Sequence, residues 1–218
     1  MCLIVLAWQK LAGYPLIVAA NRDEFHGRPA AAAAFWADKP AILAGRDLEA
    51  KGTWMGVARS GRFAAVTNYR GATEPRAAES RGALVTRFLE GNEKPEMYLK
   101  NIINAGQYSG FNLLVADEEL WSMSNRDGPA RRLEPGIYGL GNTLLEAPEV
   151  KEPKERFTAA LGPAVEPLFS VLAKSKIVNE RYGTRCSTIL LKGKDKIRYA
   201  ERAFSPDGAD QETLHYEF

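Results

Sequence analysis

Met1-Cys2-Leu3-Ile4-Val5-Leu6-Ala7-Trp8 opens the chain. Six consecutive apolar residues behind a cysteine read as a buried β-strand. Taken alone, Cys2 is compatible with a small apolar residue at the head of that strand. A second reading is chemical. Removal of Met1 would expose one residue carrying both a thiol and a free α-amine. Such an amine titrates near pH ~7.7–8.0, which suits a general base at neutral pH. A thiol that it deprotonates is a strong nucleophile. Nucleophile and base then reside in one residue, which matters in a chain whose two histidines, His26 and His215, lie towards opposite ends.

Outward from this stretch, Leu16–Ala20 is a second β-rich run, separated from the first by a polar turn containing Gly13. The pair predicts an antiparallel hairpin. The second run ends in Asn21-Arg22-Asp23-Glu24, and Phe25-His26-Gly27-Arg28-Pro29 follows. Hairpin pairing brings Asn21–Glu24 beside Cys2. An Asp or Glu there could hold the α-amine by a charge-assisted hydrogen bond, and an Arg could depress the thiol pKa. A surface turn with four solvated polar residues is the alternative.

Ala30–Ala34, between Pro29 and Pro40, reads as a tight-packed connection. Strands are expected at Ile42–Ala44, Trp54–Ala58 and Arg62–Asn68, with Ser60-Gly61 as a hairpin turn. Helical periodicity then takes over. Ser80 is an N-cap candidate, Leu84, Val85, Phe88 and Leu89 form one apolar stripe, and Gly91 ends the helix. A second helix is expected over Pro95–Asn104, with Met97, Leu99, Ile102 and Ile103 towards the core. Strands return at Phe111–Ala116, Leu120–Ser124 and Ile137–Leu140. Helices fit Pro153–Leu161 and Ala164–Lys174, and strands fit Thr184–Lys192 and Lys196–Phe204. Strands, then helices, then strands again predict antiparallel sheets packed with helices rather than βαβ units.

With 218 residues, 45% apolar and 26% charged, the chain suits one buried core, and a single domain over residues 1–218 is expected. A net charge of +2 with scattered basic residues argues against a nucleic-acid partner. No apolar run approaches the ~20 residues of a transmembrane segment. Pro15 and the Asn21–Glu24 cluster do not resemble the flanks of a signal peptide, so cytoplasm is the expected location. Cys2 and Cys186 supply neither a disulfide framework nor a metal site. Phosphate-binding loop, dinucleotide fingerprint, metal-ligand spacing, serine elbow and the cysteine pair of haem attachment are all missing. The expected partner is a small-molecule ligand or substrate, with no metal and no required cofactor. Oligomeric state is not encoded in any motif.

Four further positions could carry chemistry. Asn68, in Val66-Thr67-Asn68-Tyr69-Arg70, ends an apolar strand, where its amide could donate to a developing oxyanion. Without other evidence it reads as an ordinary turn-forming residue. Asn142 follows two glycines in Gly139-Leu140-Gly141, which let the backbone approach something closely; a loop with a left-handed residue is the alternative. Arg185 opens a β-branched strand and either points to solvent or binds a carboxylate or carboxamide. Trp54 is a core residue or a ligand platform.

Taken together, these residues resemble the NRDE family, also known as the transport and Golgi organisation protein 2 family. The matching stretches are Met1-Cys2-Leu3-Ile4, Ala20-Asn21-Arg22-Asp23-Glu24-Phe25 with Arg28-Pro29, Gly45-Arg46-Asp47 and Gly52-Thr53-Trp54-Met55-Gly56. Thr67-Asn68-Tyr69-Arg70, Ser80-Arg81-Gly82 and Gly110-Phe111-Asn112-Leu113-Leu114 continue the match. Gly139-Leu140-Gly141-Asn142 and Tyr182-Gly183-Thr184-Arg185-Cys186-Ser187-Thr188 complete it, in order over nearly the whole chain. Lys51 departs from the glycine usual before Gly-Thr-Trp, and Glu149 stands where the family often has Trp.

The family in turn resembles N-terminal nucleophile hydrolases of the choloylglycine hydrolase type. The resemblance implies an α+β fold, a four-layer αββα sandwich of antiparallel sheets. It also implies cleavage of a small linear amide through a thioester on Cys2. Asp23 would orient the α-amine, Asn68 and Asn142 would line the oxyanion site, and Arg185 would support them. Asn21, Arg22, Glu24, Trp54, Tyr69 and Arg70, in the matched motifs, are the implied substrate-binding residues. Those hydrolases carry an arginine just before the Asn, where this chain has Ala20. A second function implied by the family is carriage: haem trafficking, or acyl-lipid homeostasis, with haem as a carried ligand in the same cleft.

Overall fold

The computed structural model describes residues 2–71, 79–102 and 105–218. Strands β1 (Leu3–Leu11), β2 (Tyr14–Phe25), β3 (Ala30–Trp36), β4 (Lys39–Asp47), β5 (Met55–Ala58) and β6 (Phe63–Asn68) precede helices α1 (Arg81–Glu90) and α2 (Pro95–Lys100). Strands β7 (Phe111–Ala116), β8 (Leu120–Ser124), β9 (Asp127–Leu133) and β10 (Gly136–Leu140) follow. Helices α3 (Lys151–Ala160) and α4 (Val165–Ala173) then lead into β11 (Tyr182–Lys192), β12 (Ile197–Phe204) and β13 (Asp210–Glu217).

These elements form two compact units, each built on one sheet. The first comprises Met1–Arg28, Pro135–Gly141 and Leu145–Phe218, and its six-stranded sheet has the order β10-β1-β2-β11-β12-β13. The expected hairpin is its centre. Leu3 pairs with Asn21 and Trp8 with Leu16 in antiparallel register, and β2 runs on through the whole polar cluster to Phe25. Side chains alternate across a strand, so Leu3, Val5, Ala7, Ile17 and Ala19 share one face. They pack there with Phe157 of α3 and with Leu168, Phe169 and Leu172 of α4. Burial of such side chains contributes roughly 1.5–3 kcal/mol each, which is why the layer holds.

The second unit comprises Pro29–Glu134 and Asn142–Leu144, and its seven-stranded sheet runs β3-β4-β5-β6-β7-β8-β9 in sequence order. Helix α1 begins as its sequence predicts: the Ser80 side chain accepts from the Gly82 amide, and the Gly91 amide closes the last turn on the Arg87 carbonyl. Leu84, Val85, Phe88 and Leu89 are buried against Ile42, Ala44, Val66, Leu113 and Val115 of the sheet.

Several expectations are corrected. Ala30–Ala34 is not a connection but most of β3, the edge strand paired with β4. Helix α2 stops at Lys100 rather than Asn104. It buries Tyr98 and Leu99, while Met97 is 49% exposed; the expected core position at Ile103 lies outside the described residues. β9 and β13 are additional edge strands whose polar sequences gave no β signal. Among the described residues no helix is long and apolar enough to cross a membrane.

Candidate functional site

Cys2 precedes the first rung of the β1–β2 ladder, the pairing of Leu3 with Asn21. Its thiol takes over where the ladder ends. The Asp23 amide donates to Cys2 Sγ at 3.4 Å, and the thiol donates back to the Asp23 carbonyl at 3.4 Å. The sulfur is thereby held against the backbone of the polar cluster, as hairpin pairing predicts. The Cys2 residue retains partial exposure, yet its surroundings desolvate the thiol and raise its pKa from 9.0 to about 11. Burial is the largest cause and the negative charge of Asp23 the second; the Asp23 amide and Arg22 act in the opposite direction and lose. The expected depression of the thiol by an arginine is therefore reversed in net effect.

The Asp23 carboxylate is buried, 4% exposed, and fixed from across the sheet. Thr184 pairs with Asp23 in the β2–β11 ladder, and its hydroxyl donates to Asp23 Oδ1 at 2.6 Å. The Ile177 amide donates to the same hydroxyl oxygen at 2.8 Å, so the hydroxyl proton is directed to the carboxylate. The Tyr182 hydroxyl donates to the Asp23 carbonyl at 3.2 Å. Gly183 lies between them because a Cβ there would come within 2.9 Å of the Ile177 carbonyl and 3.1 Å of the His26 ring. Thr184 and Tyr182 carry no role in a reading of isolated motifs. The signal that points to them is the Tyr182–Thr188 stretch itself, once β11 is laid beside β2.

The rest of the polar cluster is largely structural. Asn21 Nδ2 donates to the Leu172 carbonyl at 3.0 Å and its Oδ1 accepts from Ser187 Oγ at 2.6 Å, tying β2 to α4 and β11. Arg22 is buried opposite Cys186, with Nη2 3.9 Å from Glu24 Oε2. Glu24 Oε1 accepts from the Phe25 amide, and Oε2 lies 3.9 Å from Arg28 Nε. Arg185 falls where the β2–β11 register shifts, between the Thr184–Asp23 and Cys186–Arg22 pairs. As the extra residue of a bulge its side chain is re-aimed. Its Nη1 donates to the carbonyls of Phe25, His26 and Arg28 at 3.1, 3.1 and 3.2 Å, which clamps the loop after β2. Cys186 is buried, and burial followed by the charge of Glu201 pushes its thiol well above the ordinary range.

Asn68, Asn142, Trp54, Tyr69 and Arg70 belong to the second unit. Asn142 Nδ2 donates to the Asn68 carbonyl at 2.7 Å, and the Arg70 amide donates to the Asn142 carbonyl at 2.5 Å. Asn112 fastens the same loop through the Thr143 carbonyl at 2.6 Å and Thr67 Oγ1 at 3.1 Å. Asn142 is thus a stitch between its loop and the end of β6. The side chain of Asn68 is exposed and makes no hydrogen bond among the described residues. Tyr69 packs beside Gly110, Trp54 lies over Gly45, and Arg70 is exposed. No group of three His, Cys, Asp or Glu side chains suited to a metal ion occurs among the described residues.

Comparison with solved structures places this geometry on a known fold. A mutant of the conjugated bile acid hydrolase from Clostridium perfringens matches with TM-score 0.60 at 10% identity, covering 100% of this chain and 97% of that one. Penicillin V acylase from Agrobacterium tumefaciens matches with TM-score 0.59 at 11% identity, over 93% and 83%. A Caenorhabditis elegans ortholog of N-acylethanolamine-hydrolyzing acid amidase matches with TM-score 0.57 at 12% identity, over 87% and 92%. The fold class is accordingly α+β, the αββα class of the N-terminal nucleophile hydrolases. At the sequence level the chain is 35% identical to the Homo sapiens "Transport and Golgi organization protein 2 homolog", with 94% of this chain and 92% of the relative covered. It is 34% identical to the Mus musculus protein over the same shares. The family model described as "Transport and Golgi organisation 2" matches residues 1–177, and with these relatives it establishes that the chain belongs to the Transport and Golgi organisation 2 family.

Proposed function

We propose that this protein acts as an N-terminal cysteine amidohydrolase on a small linear amide, once Met1 is removed. The observation that carries the reading is the seat of Cys2 Sγ between the amide and carbonyl of Asp23, with the Asp23 carboxylate locked by Thr184. In the intact chain residue 2 is in peptide linkage to Met1 and its thiol is protonated at neutral pH. Cleavage of that linkage supplies the missing base. The α-amine takes the thiol proton as sulfur attacks the amide carbonyl, and the C–N bond breaks as the departing amine receives that proton. Water, deprotonated by the same amine, then cleaves the C–S bond, which releases the acid and regenerates the thiol. Asp23 holds the ammonium in this scheme. Asn142 spends its amide on the Asn68 carbonyl, whereas the Asn68 amide makes no hydrogen bond among the described residues.

The test is hydrolysis of a panel of short N-acyl amides by Met1-free protein. Turnover lowered in Cys2→Ser and lost in Cys2→Ala is expected; equal turnover by Cys2→Ala contradicts the reading.

A second reading, carriage of haem or an acyl lipid without catalysis, draws on Ala20 in place of an arginine. The transport in the relatives' names is consistent with it. A haem titration that gives a thiolate-type spectrum, lost in Cys2→Ala, would favour carriage.

A further inference from the structure

Strand β11 grips Asp23 twice, once on each side of Gly183. Thr184 holds the carboxylate, and the Tyr182 hydroxyl donates to the main-chain carbonyl at 3.2 Å. That carbonyl oxygen is shared. The Cys2 thiol donates to the same atom at 3.4 Å, while the Asp23 amide donates to Sγ. A carbonyl oxygen carries two lone pairs, so it accommodates both donors.

Tyr182 is itself held in place. Its ring meets that of Phe25 edge-on, with centroids 5.3 Å apart and planes at 74°. Phe25 is 60% exposed, yet its carbonyl accepts from Arg185 Nη1 and its amide donates to Glu24 Oε1. An exposed aromatic side chain on a fastened backbone thus steadies the ring whose hydroxyl reaches Asp23.

Two donors on one oxygen compete. Electron density drawn towards the tyrosine proton is less available to the thiol proton. Once the sulfur is charged, the same carbonyl turns the negative end of its dipole towards it, and the hydroxyl dipole aimed at that oxygen offsets the repulsion. Both effects favour the ionised sulfur. The other charges acting on the thiol are Asp23, which opposes ionisation, and Arg22 and the amino terminus, which favour it.

We propose that Tyr182 is a positioning residue for the Cys2 nucleophile: by engaging the Asp23 carbonyl, its hydroxyl loosens the hold on the thiol proton and screens the charged sulfur. Its value to catalysis rests on the amidohydrolase reading, whereas its effect on the sulfur does not.

Alkylation of the full chain, Met1 retained, by iodoacetamide at pH 7.0–7.5 tests this, with the Cys2 peptide followed by mass spectrometry. Tyrosine ordinarily titrates near ~10, so its hydroxyl keeps its proton in this window. Tyr182→Phe preserves the ring and its packing on Phe25 and removes only the hydroxyl. It should slow Cys2 by roughly 2–10-fold. A merely structural role gives the opposite sign, because a loosened site admits water to the thiol and speeds its reaction. Incorporation of 3-fluorotyrosine at position 182 makes the hydroxyl a stronger donor and should speed Cys2, which supplies a readout even if Tyr182→Phe fails to fold. A rate unchanged or raised in Tyr182→Phe, or not raised by 3-fluorotyrosine, would overturn the proposal. Hydrolysis plays no part in this assay, so inactivity towards amides would sink the amidohydrolase reading alone.

Discussion

The Thr184 hydroxyl donates a 2.6 Å hydrogen bond to Asp23 Oδ1 across 161 residues of chain, while its oxygen accepts from the Ile177 amide. One side chain thereby fixes the carboxylate nearest Cys2 and anchors the segment that leads into β11. Thr184→Val keeps the shape and removes the hydroxyl. It should cost ~1–3 kcal/mol, the penalty for leaving a buried carboxylate oxygen and an amide without their partner, measured as a shift in the denaturant midpoint. Thr184→Ser should recover most of it. A valine variant as stable as the parent would show that the hydroxyl does not hold Asp23.

The raised Cys2 thiol gives a pH prediction for chain that retains Met1. The folded state keeps a proton that the unfolded chain releases near 9.0, and gives it up near 11. The stability that this contributes is therefore full below pH 9 and lost as pH rises from 9 to 11. Alkylation of Cys2 by iodoacetamide should climb through the same window, with half its limiting rate near pH 11. A rate that levels off below pH 9 would contradict the desolvated seat. Chain freed of Met1 should react faster at pH 7–8, because its own amine then acts as base.

Lys51 adopts φ +64°, a left-handed conformation that costs a side-chain-bearing residue ~1–2 kcal/mol. Its amide still donates to the Asp47 carbonyl at 2.8 Å, so the turn keeps its form in spite of the strain. Lys51→Gly relieves that strain but adds freedom to the unfolded chain, worth ~0.4–1 kcal/mol in the other direction. A net gain of up to about 1 kcal/mol in thermal or chemical unfolding is expected. A loss would mean that the lysine side chain contributes contacts that offset the strain.

Asn68 and Asn142 should separate stability from activity. Asn142→Ala removes the bond to the Asn68 carbonyl and should cost ~0.5–1.5 kcal/mol. Asn68→Ala removes an exposed, uncommitted amide and should leave stability within about 0.5 kcal/mol. If Asn68 stabilises the oxyanion, its alanine variant loses ~10²–10³ in kcat. Full kcat in Asn68→Ala would remove it from the chemistry.

The parts of the fold that were legible in the sequence are those whose evidence is local. The β1–β2 hairpin follows from two apolar runs and a short turn, and it alone places Asn21–Glu24 beside Cys2. Helix α1 follows from Ser80, Gly91 and the stripe between them. What escaped depends on distant partners. Ala30–Ala34 has no β-branched residue and becomes a strand through its pairing with β4. β9 and β13 are polar edge strands with little to bury, so alternation is weak. Met97 was expected in the core on a helix that ends one turn sooner, where Tyr98 and Leu99 take the buried face. Thr184 was visible as a motif residue, but its role depends on a register between β2 and β11 that no local pattern encodes. The Arg185 clamp depends on the bulge in that same register.

The account rests on a thiol at residue 2 that becomes a nucleophile when the residue ahead of it is removed. Peptide mapping by mass spectrometry of purified protein, after a brief reaction with an activated acyl donor at pH 7.5, examines this most directly. The predicted result is a new N-terminus at Cys2 with one acyl group on its sulfur, released by hydroxylamine and missing from Cys2→Ala. Retention of Met1 throughout, or an acyl group distributed over lysines with Cys2 untouched, would contradict it.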